Sequence, residues 1–412
     1  MWVIRTFFFF MKFVKDRLSF EEKNHFEDIN SSVGETIGFS LSSEGEFEQV
    51  LPIIRELIKQ NKYSLRLIYS SPSLELKINK FQKLHPVNVK VFRLPILTYY
   101  SNQRQRDYLE KLIQVNKFIF VRYDFYFFVL QSLINRKTPL ILLQAKGTKK
   151  TVKKMMFSLF TKISFCLKQD KQDFLEAHRN YPNDNVIAID FRVFRIVERL
   201  QSSNQSPLFL RLIEKINEID SKDKIIFGSY YVEEKFLLES VEGFFKGGLA
   251  VIVPHNLNDE VLRKIGKDFH HYNFITISED GNSLELLNQW EMKEDKLNII
   301  LLNMRGVLCE LYQSFTFAYV GGGFGYSVHS ILEPYLAGCL TFYGPKNDRS
   351  TEKDTCAEID RTRLFAINSS KEFTTNIALQ SEKILENKNF QNNIHSLYSS
   401  KKLQSSIDWI LE

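Results

Sequence analysis

The chain has 412 residues, too many for one compact core, and its 44% hydrophobic and 25% charged residues are those of folded domains, so two domains of roughly 150–200 residues are expected. The net charge of +6, from 55 basic and 49 acidic residues, suits a nucleotide, a phosphate or an anionic membrane surface and does not call for nucleic acid. Cys166, Cys309, Cys339 and Cys356 are widely spaced and the eight histidines show no HExxH or HxxxH pattern, so no disulfide framework, metal site or cofactor is read.

The chain opens MWVIRTFFFFMKFVKDRL. Arg5, Thr6 and Lys12 break its apolar run, which falls short of the ~20 residues needed to cross a bilayer, and no small-residue cleavage site follows. Aromatic residues mixed with Arg5, Lys12, Lys15 and Arg17 suit an interfacial helix on an anionic leaflet over residues 1–18; a first helix packed on the core is the plainer reading.

From residue 37 apolar runs alternate with amphipathic stretches. IGFSLSS, SLRLIYSS, NVKVFRLPI, KFIFVRYDF and TPLILLQA read as strands. GEFEQVLPIIRELIKQ, LELKINKFQKL, RDYLEKLIQVN and YFFVLQSLINRK read as the helices between them. VKKMMFSLFTKI is basic and amphipathic, and SFCLKQD and NVIAIDF are two more short strands. The polar ERLQSSNQSPLF reads as a linker. A second βα series runs from DKIIFGS to CLTFYGP, and a helical tail follows KEFTTN. This rhythm predicts two parallel, helix-covered sheets with ligands at the carboxyl ends of their strands: a first domain over 19–200, a second over 208–385, and C-terminal helices over 386–412.

Candidate site residues follow strands. FTFAYV runs into Gly321, Gly322, Gly323 and Gly325, which permit positive φ and close backbone approach. SVHSILEPYLAG reads as the next helix, its free N–H groups suited to a phosphate, although neither GxGxxG nor a P-loop spacing is present. Glu333, one turn after His329, can accept ribose hydroxyls; a tight turn with a surface glutamate is the alternative. His255 ends the strand LAVIVPH and suits a phosphate or a base, or is a satisfied loop histidine. In GSYYVEE, Gly228 and Ser229 lead into a helix with acidic residues in its first turns, a plain cap.

Two glutamates compete as a catalytic base. Glu35 precedes the first strand. Glu46 follows it in SSEGEFEQ, where Ser43 caps and Gly45 permits the turn into the helix. Glu46 therefore projects toward the ligand end as a general base, unless Glu44, Glu46 and Glu48 serve only the helix dipole.

Taken in order, SSEGEFEQVLPIIREL, FVRYDFYF, VIAIDFRVFRI, GSYYVEE, VIVPH and YVGGGFGYSVHSILEPYLAGCLTFYGP resemble the motifs of the 3-deoxy-D-manno-octulosonic acid (Kdo) transferases, with RLSFEEKN matching their opening. The glycine-rich stretch is the specific one. The resemblance implies an α/β GT-B fold, two Rossmann-like domains facing a central cleft. It implies inverting transfer of Kdo from CMP-Kdo to a lipid A precursor such as lipid IVA, without metal or cofactor, by an enzyme peripheral to the cytoplasmic face of the inner membrane. Glu46 would be the base and Asp124 would orient the acceptor. Arg192, Ser229, His255, Gly322, Gly323, Gly325, His329, Ser330 and Glu333 would line the CMP-Kdo site. Ser330 stands for the family's asparagine, Asp124 for a glutamate, Tyr126-Phe127 for Trp-Pro, and Lys146 for an arginine. The alternatives are a non-catalytic relative that binds a nucleotide sugar or lipid surface, and a GT-B enzyme using another nucleotide sugar.

Overall fold

The computed structural model describes residues 34–94, 103–122, 126–145, 156–201, 206–279, 282–347, 351–381 and 387–412. Residues 1–18, Asp124 and Lys146 lie outside the described residues. The chain divides into two units, one built from residues up to Arg195 together with Ser400–Glu412, the other from Ile196–Ser399.

The first unit holds a seven-stranded sheet in the order β3-β2-β1-β4-β5-β6-β7. Its strands are β1 (Glu35–Leu41), β2 (Tyr63–Tyr69), β3 (Val89–Arg93), β4 (Lys117–Val121), β5 (Leu140–Ala145), β6 (Lys162–Phe165) and β7 (Val186–Ala188). Every pair is parallel, and both faces are covered, which is why β1 and β2 are buried almost throughout. One core cluster gathers Phe118, Phe120, Leu133, Leu142, Phe157 and Phe165. Four of these six are phenylalanines.

The second unit repeats the plan with β8 (Lys224–Tyr230), β9 (Leu249–Pro254), β10 (Asn273–Ser278), β11 (Asn298–Asn303), β12 (Phe317–Val320), β13 (Leu340–Tyr343) and β14 (Leu364–Ala366). Its order is β10-β11-β9-β8-β12-β13-β14, again all parallel. Both cores are large and apolar, the second around Phe227, Tyr319, Phe342 and Phe373.

The expected linker is partly helical. A helix spans Phe191–Gln201, and the division between units falls inside it; the next helix, Pro207–Asn217, is capped by Ser206, whose hydroxyl accepts the Phe209 amide. Residues 387–412 hold two helices. The helix Asn387–Leu397 belongs to the second unit and Ser400–Leu411 to the first, where Ile407 and Ile410 are buried and Trp409 donates its indole N–H to the Asp184 carbonyl at 2.8 Å. No helix among the described residues is long and apolar enough to cross a membrane.

Candidate functional site

In each sheet the chain order reverses beside the strand that begins it, although in the second β11 is also inserted between β9 and β10. In the first unit the reversal lies between β1 and β4, in the second between β8 and β12. Helices leave opposite faces there, so a crevice opens at the carboxyl ends of the two strands.

In the first unit Glu46 stands at that place, in the first turn of the helix Glu44–Gln60. The Ser43 hydroxyl accepts the Glu46 amide at 3.2 Å, and the Glu46 carboxylate accepts the Ser42 amide at 2.6 Å. This is a capping box shifted by one residue, and it fixes the rotamer of a nearly buried carboxylate. Glu44 and Glu48 point elsewhere, both pairing with Lys77, and Glu48 also with Arg195 at 3.1 Å. Of the three acids in this turn, only Glu46 is buried. Across the crevice Arg122 follows β4 with φ +63°, and its Nε donates to Gln49 at 3.2 Å.

Arg192 lies in this unit too. Its guanidinium closes on the buried Asp190 carboxylate, Nε to Oδ1 at 2.9 Å and Nη2 to Oδ2 at 2.6 Å. Beside it Gln144, at φ +59°, donates its side-chain amide to the Ile189 carbonyl at 2.8 Å and accepts the Cys166 thiol at 3.4 Å. Burial pushes that thiol up to about 12, so Cys166 stays protonated. Sequence reading missed Gln49, Arg122 and Gln144. Nothing local marks Gln49, which is buried in the helix Glu44–Gln60, and Arg122 and Gln144 are marked only by left-handed backbone at strand ends.

In the second unit Ser229, next to last in β8, has φ +50°, where the β8–β9 register shifts between Gly228 and Tyr230. The Gly321 amide donates to the Gly228 carbonyl at 2.9 Å, bringing the glycine turn after β12 against Ser229. A side chain at Gly321 would run into the Ser229 carbonyl and the Glu234 carboxylate; at Gly323 it would overlap the backbone of Gly344. Gly322 takes φ +102°. These three glycines are packed against the protein itself. Only Gly325 opens onto free space.

The turn's amides already have an anion. Glu234, 1% exposed, accepts the Gly322 amide at 2.9 Å, the Tyr319 hydroxyl at 2.8 Å and the Tyr231 amide at 3.4 Å. Burial raises its pKa and these hydrogen bonds oppose the rise. The sequence reading of GSYYVEE as a plain cap overlooked this organiser.

The helix expected over SVHSILEPYLAG is a correction. Only Leu332–Leu336 is helical, so His329 and Ser330 lie in the preceding loop, not one turn below Glu333. The helix start is occupied as well, because the Leu332 amide donates to Glu352 at 3.1 Å. Pro334, lacking an N–H, sits in the short helix's first turn, where none is needed.

Around the turn four rings gather. His255 and His329 stack at 4.0 Å between centroids, and Tyr231 lies parallel to His329 with its hydroxyl 2.7 Å from His329 Nε2. Tyr326 stacks on Tyr231 at 4.6 Å. Burial, then the neighbouring His255, lowers the His329 pKa to about 4; desolvation lowers that of His255 as well. His329 is therefore neutral near pH 7. Glu333 accepts Arg199 Nη1 at 3.3 Å, and the same guanidinium donates to Glu310 at 2.9 Å and 3.2 Å and to the Gly306 carbonyl at 3.2 Å. Ser229, His255, Gly322, Gly323 and His329 thus meet at one strand-end crevice.

Two parallel sheets in this order, each with its own reversal crevice, decide the architecture. The fold is GT-B. No protein-family model matches the sequence, and no curated protein does. Similar solved structures include UDP-GlcNAc 2-epimerase of Neisseria meningitidis bound to UDP-GlcNAc, with TM-score 0.60 and 12% identity over 90% of this chain and 99% of that one. A glycosyltransferase of Rickettsia africae has TM-score 0.55 and 12% identity over 91% and 97%. HepE of Anabaena in complex with UDP-glucose has TM-score 0.53 and 12% identity over 92% and 99%. Such identities speak for the GT-B fold alone.

Proposed function

We propose that the chain is an inverting glycosyltransferase that moves Kdo from CMP-Kdo to a lipid A precursor, peripherally bound at the cytoplasmic face of the inner membrane. The observation that carries this reading is the meeting of Ser229, Gly322, Gly323, His255 and His329 at the β8/β12 crevice, five residues drawn from motif stretches that resemble one family. The second unit would take CMP-Kdo and the first the acceptor.

In the proposed reaction an acceptor hydroxyl attacks the anomeric carbon of Kdo, and the bond from that carbon to the CMP phosphate oxygen breaks. Glu46 takes the hydroxyl proton, and CMP leaves with the bonding electron pair. Glu46 suits the role because the Ser42 amide holds its carboxylate in one orientation, which favours proton transfer over a fixed short distance. The neutral His329, its Nε2 tied to the Tyr231 hydroxyl, would contact the phosphate as a dipole, not as a cation. Glu333, aimed by Arg199, is the proposed ribose contact, and Asp124 the acceptor-side acid.

Two fold neighbours, bound to UDP-GlcNAc and UDP-glucose, support a second reading with a uridine nucleotide sugar. Thermal unfolding with CMP and with UDP separates the two: each nucleotide that binds the native state raises Tm. Protection by CMP with transfer from CMP-Kdo to lipid IVA is the expected result. Protection by UDP alone would replace the first reading with the second.

A further inference from the structure

We propose that the outer face of the helix Glu75–Leu84, with the turn that follows it, docks the protein on an anionic phospholipid bilayer. This deepens the reading above, which supplies the lipid acceptor, by naming the surface that meets the membrane.

The helix has two apolar sides. Ile78 and Phe81 point inward, Phe81 packing edge-on against Phe47 at 5.4 Å. Leu76, Lys80, Lys83 and Leu84 fall at helical spacings i, i+4, i+7 and i+8 and share the opposite side. Leu76 is 88% exposed, Leu84 68%, and Val87 in the next turn 71%. These three stand within twelve residues of each other, among the most exposed large apolar side chains described. Pro72 and Pro86 are exposed at its ends. Clustered exposure of this kind marks an interaction surface, whereas scattered leucines do not.

Charge decides the occupant. Lys77, at the flank, is held by Glu44 and Glu48. Lys80 and Lys83 are exposed and have no ion-pair partner among the described residues. From Pro72 to Lys90 the sole acid is Glu75, half-buried and facing Arg93 at 3.6 Å. A second copy of the chain, docked symmetrically, would set these lysines against their own images. A bilayer with anionic headgroups takes both features at once: leucine side chains enter the acyl boundary while the lysine stems extend to the phosphates.

The test is co-sedimentation of the full chain with vesicles of phosphatidylcholine alone and with one-quarter phosphatidylglycerol. Binding to the anionic vesicles is expected, weakened by high salt. Lys80→Gln with Lys83→Gln should weaken it about 25-fold, from about fivefold per lysine. Leu76→Ser with Leu84→Ser should weaken it at every salt concentration. Both pairs are on the surface, so Tm and transfer to detergent-dispersed acceptor should stay as in the parent. Variants that bind like the parent would overturn the proposal, since another segment would then dock. So would a parent that ignores vesicles, or leucine variants that only shift a lipid-free dimer to monomer. The readout uses no turnover: a chain that docks through this face yet transfers no Kdo refutes the Kdo-transfer reading and leaves the docking face standing.

Discussion

Glu234 and Gly322 are joined by a 2.9 Å hydrogen bond that spans 88 residues of sequence and fixes the glycine turn to the end of β8. The carboxylate does what a bound anion was expected to do. Glu234→Ala would leave the Gly322 amide and the Tyr319 hydroxyl without an acceptor in a dry site, at a cost of about 1–3 kcal/mol for each. Urea unfolding should show that loss. Glu234→Gln, which keeps one oxygen, should lose less.

The glycines of the turn should not respond alike. Gly323→Ala meets the backbone of Gly344, which cannot yield cheaply, and Gly321→Ala meets Ser229 and Glu234. Each is expected to destabilise by several kcal/mol, in the range of overpacked or strained sites. Gly325→Ala meets nothing within 4 Å and should fall within about 0.5 kcal/mol of the parent. Thermal melts of the three variants check the order.

Glu46→Gln should separate chemistry from folding. The amide oxygen can still accept the Ser42 N–H, so Tm should change little, as glutamine serves a capping box. Transfer from CMP-Kdo should fall roughly 10²–10⁴-fold if Glu46 takes the proton. Unchanged turnover would remove it from the reaction.

Stability should fall in acid through His329. Its folded pKa, about 4, lies below the ordinary value of 6.5, so the unfolded chain binds more protons between those values. The contribution is complete above pH 6.5 and is lost as pH falls toward 4. Tm measured across this window should drop less steeply in His329→Gln than in the parent.

Arg192→Met would strand the buried Asp190, and breaking such a pair typically costs about 3–5 kcal/mol. Arg192→Asn with Asp190→Asn should recover part of it. If Arg192 also contacts the donor, the double variant stays folded yet binds CMP-Kdo more weakly, measurable by calorimetry.

The alternation of strands and helices was legible because period-two and period-3.6 patterns are local. Strand β10 coincides with NFITIS, and the helix from Glu44 begins one residue before its expected start. What escaped depends on distant partners. The strand β14 has only three residues and is recognisable by its pairing with β13. The expected helix through His329 failed where Glu234 holds the glycine turn and Glu352 takes the Leu332 amide, neither of which any local spacing reveals. For the candidate site, glycines and histidines at strand ends were readable. The reason for the glycines was not: they yield room to Ser229, Glu234 and Gly344 from elsewhere in the chain.

The helix Ser400–Leu411 has a consequence for biosynthesis. It buries Ile407 and Ile410 in the first unit, and Lys162 donates to the Trp409 carbonyl there. A nascent chain on the ribosome therefore leaves that unit's packing unfinished until the second unit has already been translated. Trimming the polypeptide before Ser400 would injure the half made first.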